Sequence, residues 1–128
     1  MNILLDTCTF LWVTVGSDEL SDAAKDMFVD PGNEVYLSAA SCWEISVKWL
    51  LGKLHLPEDP GSFLAKQRTQ HLIEPLPIAE QAVFHLTKLP RHHKDPFDRI
   101  LICQAIEHSL VLLTPDPLIT QYPVRTAW

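Results

Sequence analysis

The chain has 128 residues, 47% of them hydrophobic and 20% charged, with a net charge of −6. That length suits a single domain spanning residues 1–128, and that balance excludes a disordered chain. No apolar run approaches the ~18 residues that a membrane span needs. The start, Met1-Asn2-Ile3-Leu4-Leu5-Asp6, has no basic residue and meets an acid too early for a signal peptide, so a cytoplasmic protein is expected. Three cysteines (Cys8, Cys42, Cys103) sit in apolar stretches without Cys-x-x-Cys spacing and read as buried thiols.

Asn2–Leu5 is a continuous apolar run ended by Asp6, which predicts a short strand covered on both faces. Thr7–Val15 follows as a short helix, and Gly16-Ser17-Asp18 as a turn whose Ser17 or Asp18 can cap the next helix. That helix, about Glu19 to Val29, places Leu20, Ala23, Ala24, Met27 and Phe28 on one stripe. Pro31-Gly32-Asn33 breaks it, and Glu34–Leu37 reads as a second buried strand. A helix runs from about Ser41 to Leu51 with Gly52 as its stop. Pro60 starts a helix over about Gly61–Thr69. His71–Glu74 reads as a third strand, Ala79–Leu89 as a helix stopped by Pro90, and Asp95-Pro96 opens a strong helix to Glu107. Leu110–Leu113 is a fourth buried strand, Pro115–Tyr122 a short helical turn, and Val124-Arg125 a last strand. Strands alternating with helices predict an α/β fold, a parallel sheet with helices on both faces.

Charge is unevenly distributed. Asp18, Glu19, Asp22, Asp26, Asp30 and Glu34 crowd one stretch. Lys88, Arg91, His92, His93, Lys94 and Arg99 crowd another, which is either a solvated face or a phosphate-binding one.

Four acids fall at predicted element junctions: Asp6, Glu44, Asp98 and Asp116. Each has a local use. Asp6 can cap the first helix, Ser41-x-x-Glu44 has capping-box spacing, and Glu44 can pair with Lys48 one turn on. Asp95 before Pro96 is an N-cap, Asp98 then favours the helix dipole, and Asp116-Pro117 repeats the cap pattern. Together they point further. A parallel sheet lines up the carboxyl ends of its strands along one edge, where ligands bind. Asp6 and Asp116 follow predicted strands directly, and Glu44 follows one by way of Ser38. Several carboxylates gathered there need countercharge, and a hard cation such as Mg²⁺ or Mn²⁺ takes oxygen ligands. The cysteine and histidine spacings do not suit zinc. The four glycines are isolated, so there is no Gly-rich phosphate loop, and no Gly-x-Ser-x-Gly is present. Trp12, Trp43, Trp49 and Trp128 read as core or interface rather than base-stacking platforms.

The stretches Leu4-Leu5-Asp6-Thr7-x-Thr9-Phe10-Leu11-Trp12, Ser38-Ala39-x-Ser41-x-Trp43-Glu44-Ile45, Gly52-Lys53-Leu54, Asp95-Pro96-Phe97-Asp98-Arg99 and Thr114-x-Asp116 resemble, in order and over nearly the whole chain, the PIN-domain family. Within it, the chain is most similar to the ribonuclease toxins of VapBC-type toxin–antitoxin pairs. The resemblance implies a three-layer α/β/α domain and endonucleolytic cleavage of RNA dependent on Mg²⁺ or Mn²⁺. It carries the family's acidic quartet onto Asp6, Glu44, Asp98 and Asp116, while Asp95 keeps the role of cap. It also implies a small cognate antitoxin as partner, promoter DNA bound through that antitoxin, and a homodimer. The chain departs from the pattern at Cys8, where similar toxins often carry His, and in the prolines on both sides of Asp116.

The expected chemistry is in-line attack of water on a phosphodiester. Asp6 and Asp98 are the expected direct metal ligands. Glu44 would ligate or orient the water, and Asp116 would complete the set. Lys48, Arg91, Lys94 and Arg99 are the expected contacts to RNA phosphates. Two rivals fit less well. A haloacid-dehalogenase-type phosphatase wants Asp-x-Asp after the first strand, and the second position is Cys8. A receiver-like Mg-binding signalling module wants two adjacent acids there and a late lysine; Asp6 stands alone, and no lysine follows Asp116.

Overall fold

In the computed structural model, which describes residues 1–92 and 94–128, the chain forms a five-stranded parallel sheet flanked by helices. His93 of the basic run lies outside the described residues. The strands are β1 (Asn2–Leu5), β2 (Glu34–Ser38), β3 (Ile73–Leu76), β4 (Val111–Leu113) and β5 (Thr126–Ala127), and the helices α1 (Thr7–Val15), α2 (Asp22–Val29), α3 (Ala39–Leu50), α4 (Pro60–His71), α5 (Glu80–Phe84) and α6 (Pro96–Glu107). The sheet order is β3-β2-β1-β4-β5. A receiver-type sheet has the order 2-1-3-4-5, so the topology separates this fold from that rival.

β1 is the centre of the sheet, pairing with β2 on one side and β4 on the other, with Ile3 opposite both Val35 and Val111. Its Ile3, Leu4 and Leu5 are fully buried because the two faces are both covered. Alternation of side chains sorts the core into two layers. Ile3, Leu5, Val35, Leu37, Ile73 and Leu113 pack with Phe10, Val13, Ala24, Ile45, Phe63 and Leu64 from α1 to α4. Leu4 and Leu112 pack on the opposite side with Leu101, Ile102, Cys103 and Ala105 of α6. The result is the expected α/β/α sandwich. No helix among the described residues is long and apolar enough to cross a membrane.

Several boundaries differ from the sequence expectation, each for a local reason. α2 begins at Asp22, because Ser21 accepts the Ala24 N–H at 3.0 Å while Ser17 is used in the preceding turn. α3 begins directly after β2, capped by Ser38 and not by Ser41; Ser38 Oγ accepts the Ala40 N–H at 3.0 Å, so the Ser41–Glu44 capping box does not form. α4 runs on to His71, which pushes β3 down the chain to Ile73–Leu76. β3 is an edge strand, where Pro75 does not interrupt the ladder. The helix expected over Ala79–Leu89 stops at Phe84 and tightens into a 3₁₀ turn over His85–Lys88. Three residues per turn aligns Leu86 with the buried Leu89 on the face that meets α6. The last strand is Thr126–Ala127, paired with Leu112–Leu113, and Val124–Arg125 lies before it.

Candidate active site

Strand order reverses at β1: the chain builds β2 and β3 to one side and β4 and β5 to the other. The carboxyl ends of β1 and β4 therefore flank the crevice where ligands of such sheets bind. Asp6 leaves β1 at this point and Asp116 follows β4 by three residues. α3 and α6 bring Glu44 and Asp98 to the same place. A cavity of about 280 Å³ is lined by Asp6, Thr7, Cys8, Trp12, Glu44, Lys48, Asp95, Asp98, Pro115 and Asp116. The four junction acids of the sequence thus share one cavity, together with Asp95 and Lys48.

Asp6 is 5% exposed and fully engaged. Oδ1 caps α1 by accepting the Thr9 N–H at 2.7 Å, and Oδ2 accepts the Thr114 hydroxyl. Burial raises its pKa most; the hydrogen bonds from Thr114 and Thr9 lower it, and the charge of Asp116 raises it. Thr114 is itself buried and also accepts the Asp116 N–H at 3.1 Å. One hydroxyl therefore ties the end of β1 to the start of the Asp116 turn. In that turn Asp116 Oδ1 accepts the Leu118 N–H at 2.9 Å, the cap its sequence suggested. Thr114 stood in the sequence only as part of a motif; a hydroxyl two residues before an acid at a strand end was the signal for its bridging position.

Glu44 is 7% exposed on α3 and accepts the Lys48 ammonium on Oε2 at 2.7 Å. Below it, Ser41 Oγ accepts the Thr7 hydroxyl at 3.0 Å, joining α3 to α1 beside Asp6. On α6, Asp95 caps the helix through the N–H groups of Phe97 (2.9 Å) and Asp98 (3.3 Å). Asp98 stands in the first turn. Burial, then the charges of Asp95, Asp6, Glu44 and Asp116, push its pKa up to about 7. A second buried link fixes α6 against α3: Gln104 accepts the Ser38 hydroxyl and donates to Pro77 O at 3.2 Å.

Two sequence expectations change. Cys8 is exposed, on the wall of the cavity, rather than buried. Loss of solvent on the protein side of its sulfur, then the charge of Asp6, raise its thiol above the ordinary value. Cys42 is only half-buried, whereas Cys103 is buried as expected. Of the tryptophans expected as core or interface, Trp12 and Trp128 pack together at 5.8 Å, and Trp43 lies at the surface, 64% exposed, its ring centroid 5.3 Å from that of Phe97.

The expected RNA contacts divide. Lys48 faces the acids. Arg91, His92, Lys94 and Arg99 line a separate cavity of about 440 Å³. Arg99 is braced there: it donates to Pro90 O at 3.0 Å and to the Tyr122 hydroxyl at 3.1 Å, and its guanidinium lies 5.9 Å from the Tyr122 ring centre.

The carboxylate cavity offers hard oxygen donors, one of which, Asp98, is pushed up to about 7 by burial and then by the charges of its neighbours, which suits a divalent cation. As they stand, the donors do not close on one point: among the described residues no three His, Cys, Asp or Glu side chains form a ready ligand group. Asp6 is turned to its two hydrogen-bond donors, and Glu44 to Lys48.

The PIN domain family model matches residues 3–124. The chain belongs to the PIN-domain family. Among solved structures, this PIN domain is similar to VapBC2 from Rickettsia felis bound to a DNA fragment from their promoter, at 15% identity and a TM-score of 0.74, covering 99% of this chain and 98% of that one. DNA-bound VapBC from Salmonella typhimurium is similar at 16% identity and a TM-score of 0.69, over 99% and 97%. VapBC-5 from Mycobacterium tuberculosis is similar at 17% identity and 0.59, over 94% and 89%. At these identities the likeness is one of fold. No curated protein sequence matches the chain. PIN domains are nucleases that generally use divalent metal ions.

Proposed function

We propose that this PIN domain, taken as one unit over residues 1–128, is a metal-dependent endoribonuclease and the toxin of a toxin–antitoxin pair. The observation that carries the reading is the cavity at the sheet's reversal point, lined by Asp6, Glu44, Asp98 and Asp116. Mg²⁺ or Mn²⁺ held by these acids would lower the pKa of a bound water and offset charge growing on the phosphate. Asp6 and Asp98 are the direct ligands in this reading. Thr9 and Thr114 each donate to one Asp6 oxygen and fix the carboxylate at the edge of the cavity, each oxygen keeping a second lone pair for an ion. Glu44 orients the attacking water or joins the ligands, and Asp116, tied to Asp6 through Thr114, completes the set. Arg91, Lys94 and Arg99 hold flanking phosphates of the RNA, outside the acid cavity and beside it along α6.

A small cognate antitoxin is the expected partner. The similar VapBC structures, two of them DNA-bound, support it. A homodimer and a cytoplasmic setting belong to the same reading. The deciding experiment is RNA cleavage by the purified protein in EDTA and after adding Mg²⁺ or Mn²⁺. Activity should vanish in chelator and return with the ion; full activity in chelator would overturn the reading.

A further inference from the structure

Arg99 is the partly buried cation of the basic cavity, whereas Arg91 and Lys94 are exposed. Its guanidinium is held from one side. Nη1 donates to Pro90 O at 3.0 Å and to the Tyr122 hydroxyl at 3.1 Å, and the group lies 5.9 Å from the Tyr122 ring centre. Tyr122 is itself a fixed point. It is 3% exposed, belongs to the core layer on the α6 side of the sheet, and meets the His92 ring edge-on at 4.9 Å. Both oxygen partners of Arg99 are neutral, and among the described residues no carboxylate stands within ion-pair distance of it. The bracing therefore fixes the guanidinium without cancelling its charge. Nε and Nη2, on the edge away from Nη1, take no hydrogen bond among the described residues. That edge is a planar fork of N–H donors, which matches two oxygens of one phosphate.

We propose that Arg99 takes one backbone phosphate of the RNA on its Nε–Nη2 edge, and that Tyr122 is the positioning residue that holds it ready. The inference rests on RNA as the ligand proposed above, and not on the metal. A long side chain loses rotamer freedom when it binds, and Pro90 and Tyr122 have already removed that freedom from Arg99. Arg91 and Lys94 supply charge to the same strand; Arg99 supplies geometry. Asp98 lines the acid cavity, and Arg99, the next residue of α6, lines the basic one. A phosphate seated on the braced fork is thereby held in register with the acids, and the fork sets where along the strand they meet a bond.

The test is RNA binding by the full chain in an Asp6→Asn background, which removes cleavage. The probe is a fluorescent single-stranded oligouridylate, titrated over a range of salt below the unfolding onset of every variant. Arg99→Ala should weaken binding by about tenfold or more and flatten the slope of log K against log salt by about 0.7. Arg99→Lys should restore the slope but not the affinity, because it keeps the charge and loses the fork. Tyr122→Phe keeps the ring and removes the hydroxyl. It should leave the slope alone and lose about two- to tenfold in affinity. Added to Arg99→Ala, it should cost nothing further. Any other contribution of the hydroxyl appears with and without Arg99, so an equal loss in both backgrounds would overturn the positioning role. Full affinity in Tyr122→Phe would overturn it as well. Unchanged affinity in Arg99→Ala, full recovery in Arg99→Lys, or no binding by the Asp6→Asn parent would overturn the phosphate clamp. The nuclease reading fails separately, in a parent with Asp6 intact that cuts no RNA with Mg²⁺ or Mn²⁺ present.

Discussion

The protein carries two charged cavities built in opposite ways. The acidic one gathers Asp6, Glu44, Asp95, Asp98 and Asp116 from four separate segments, and several of these groups are held by hydroxyls or backbone N–H groups. The basic one draws Arg91, His92, Lys94 and Arg99 from one short run around the start of α6, with Arg99 braced by Pro90 and Tyr122 and the His92 ring set edge-on to Tyr122. Geometry is tightly specified where charge of one sign must be forced together, and loosely in the basic run proposed to meet phosphate. Reacting atoms tolerate errors of a fraction of an ångström, whereas phosphate contacts tolerate much more.

Four measurements break or sharpen this contrast. The largest effect is expected from Asp6→Asn. Asn caps a helix about as well as Asp, so metal-free thermal stability should stay equal or rise as one crowded charge is removed. RNA cleavage and cellular toxicity should vanish, and Mg²⁺ should raise the melting temperature of the parent more than that of the variant. A folded Asp6→Asn protein cutting RNA at the parent rate would end the case for this cavity.

Next comes Thr114→Val, which keeps shape but strips the hydroxyl between Asp6 and the Asp116 N–H. A buried carboxylate oxygen and a half-buried N–H lose a partner, so urea denaturation should show a loss of about 1–3 kcal/mol. Cleavage should fall by roughly a hundredfold, since the metal-side carboxylate is no longer fixed. Thr114→Ser should restore both; equal defects in Ser and Val would mean that the methyl group, not the hydroxyl, matters.

The third is a pH effect. Asp98 is raised from 3.8 to about 7 in the folded protein, so the native state keeps a proton that the unfolded chain releases first. Stability from this group is therefore fully present below about pH 3.8 and is lost as pH rises through about 7. Metal-free Asp98→Asn should gain on the parent in melting temperature between pH 5 and pH 8. A gap that does not widen with pH would contradict the burial of Asp98 among carboxylates.

The smallest effect is expected in the basic cavity. In an Asp6→Asn background, Arg91→Ala and Lys94→Ala should each flatten the slope of log K against log salt for single-stranded RNA by about 0.7, alike for all sequences. Melting temperatures should barely move, as for most exposed substitutions. An unchanged slope would make this run a solvated face.

Much of the acidic cavity was legible because its parts are local signals. Asp6 after an apolar run, Asp95-Pro96 at a helix start and Glu44 one turn before Lys48 are all short-range patterns, and α1 and α6 appear in the structure as those patterns dictate. Short-range chemistry does not say which partner a group will choose. The sequence offered Ser41 as the cap of this helix; the structure caps it with Ser38 and leaves Ser41 to meet Thr7, 34 residues away in the chain.

What the sequence alone determined is the alternation of strand and helix, the parallel α/β class and the positions of the acids at element ends, because hydrophobic period and capping act over a few residues. Only the tertiary structure decided the rest. Strand order put the reversal point at β1, and with it the meeting of Asp6 and Asp116. The packing of α3 and α6 over that point brought Glu44 and Asp98 into one cavity, and exposed Cys8, which its apolar neighbours had marked as buried. Burial and electrostatic crowding depend on which distant segments meet, and that is fixed when the sheet assembles.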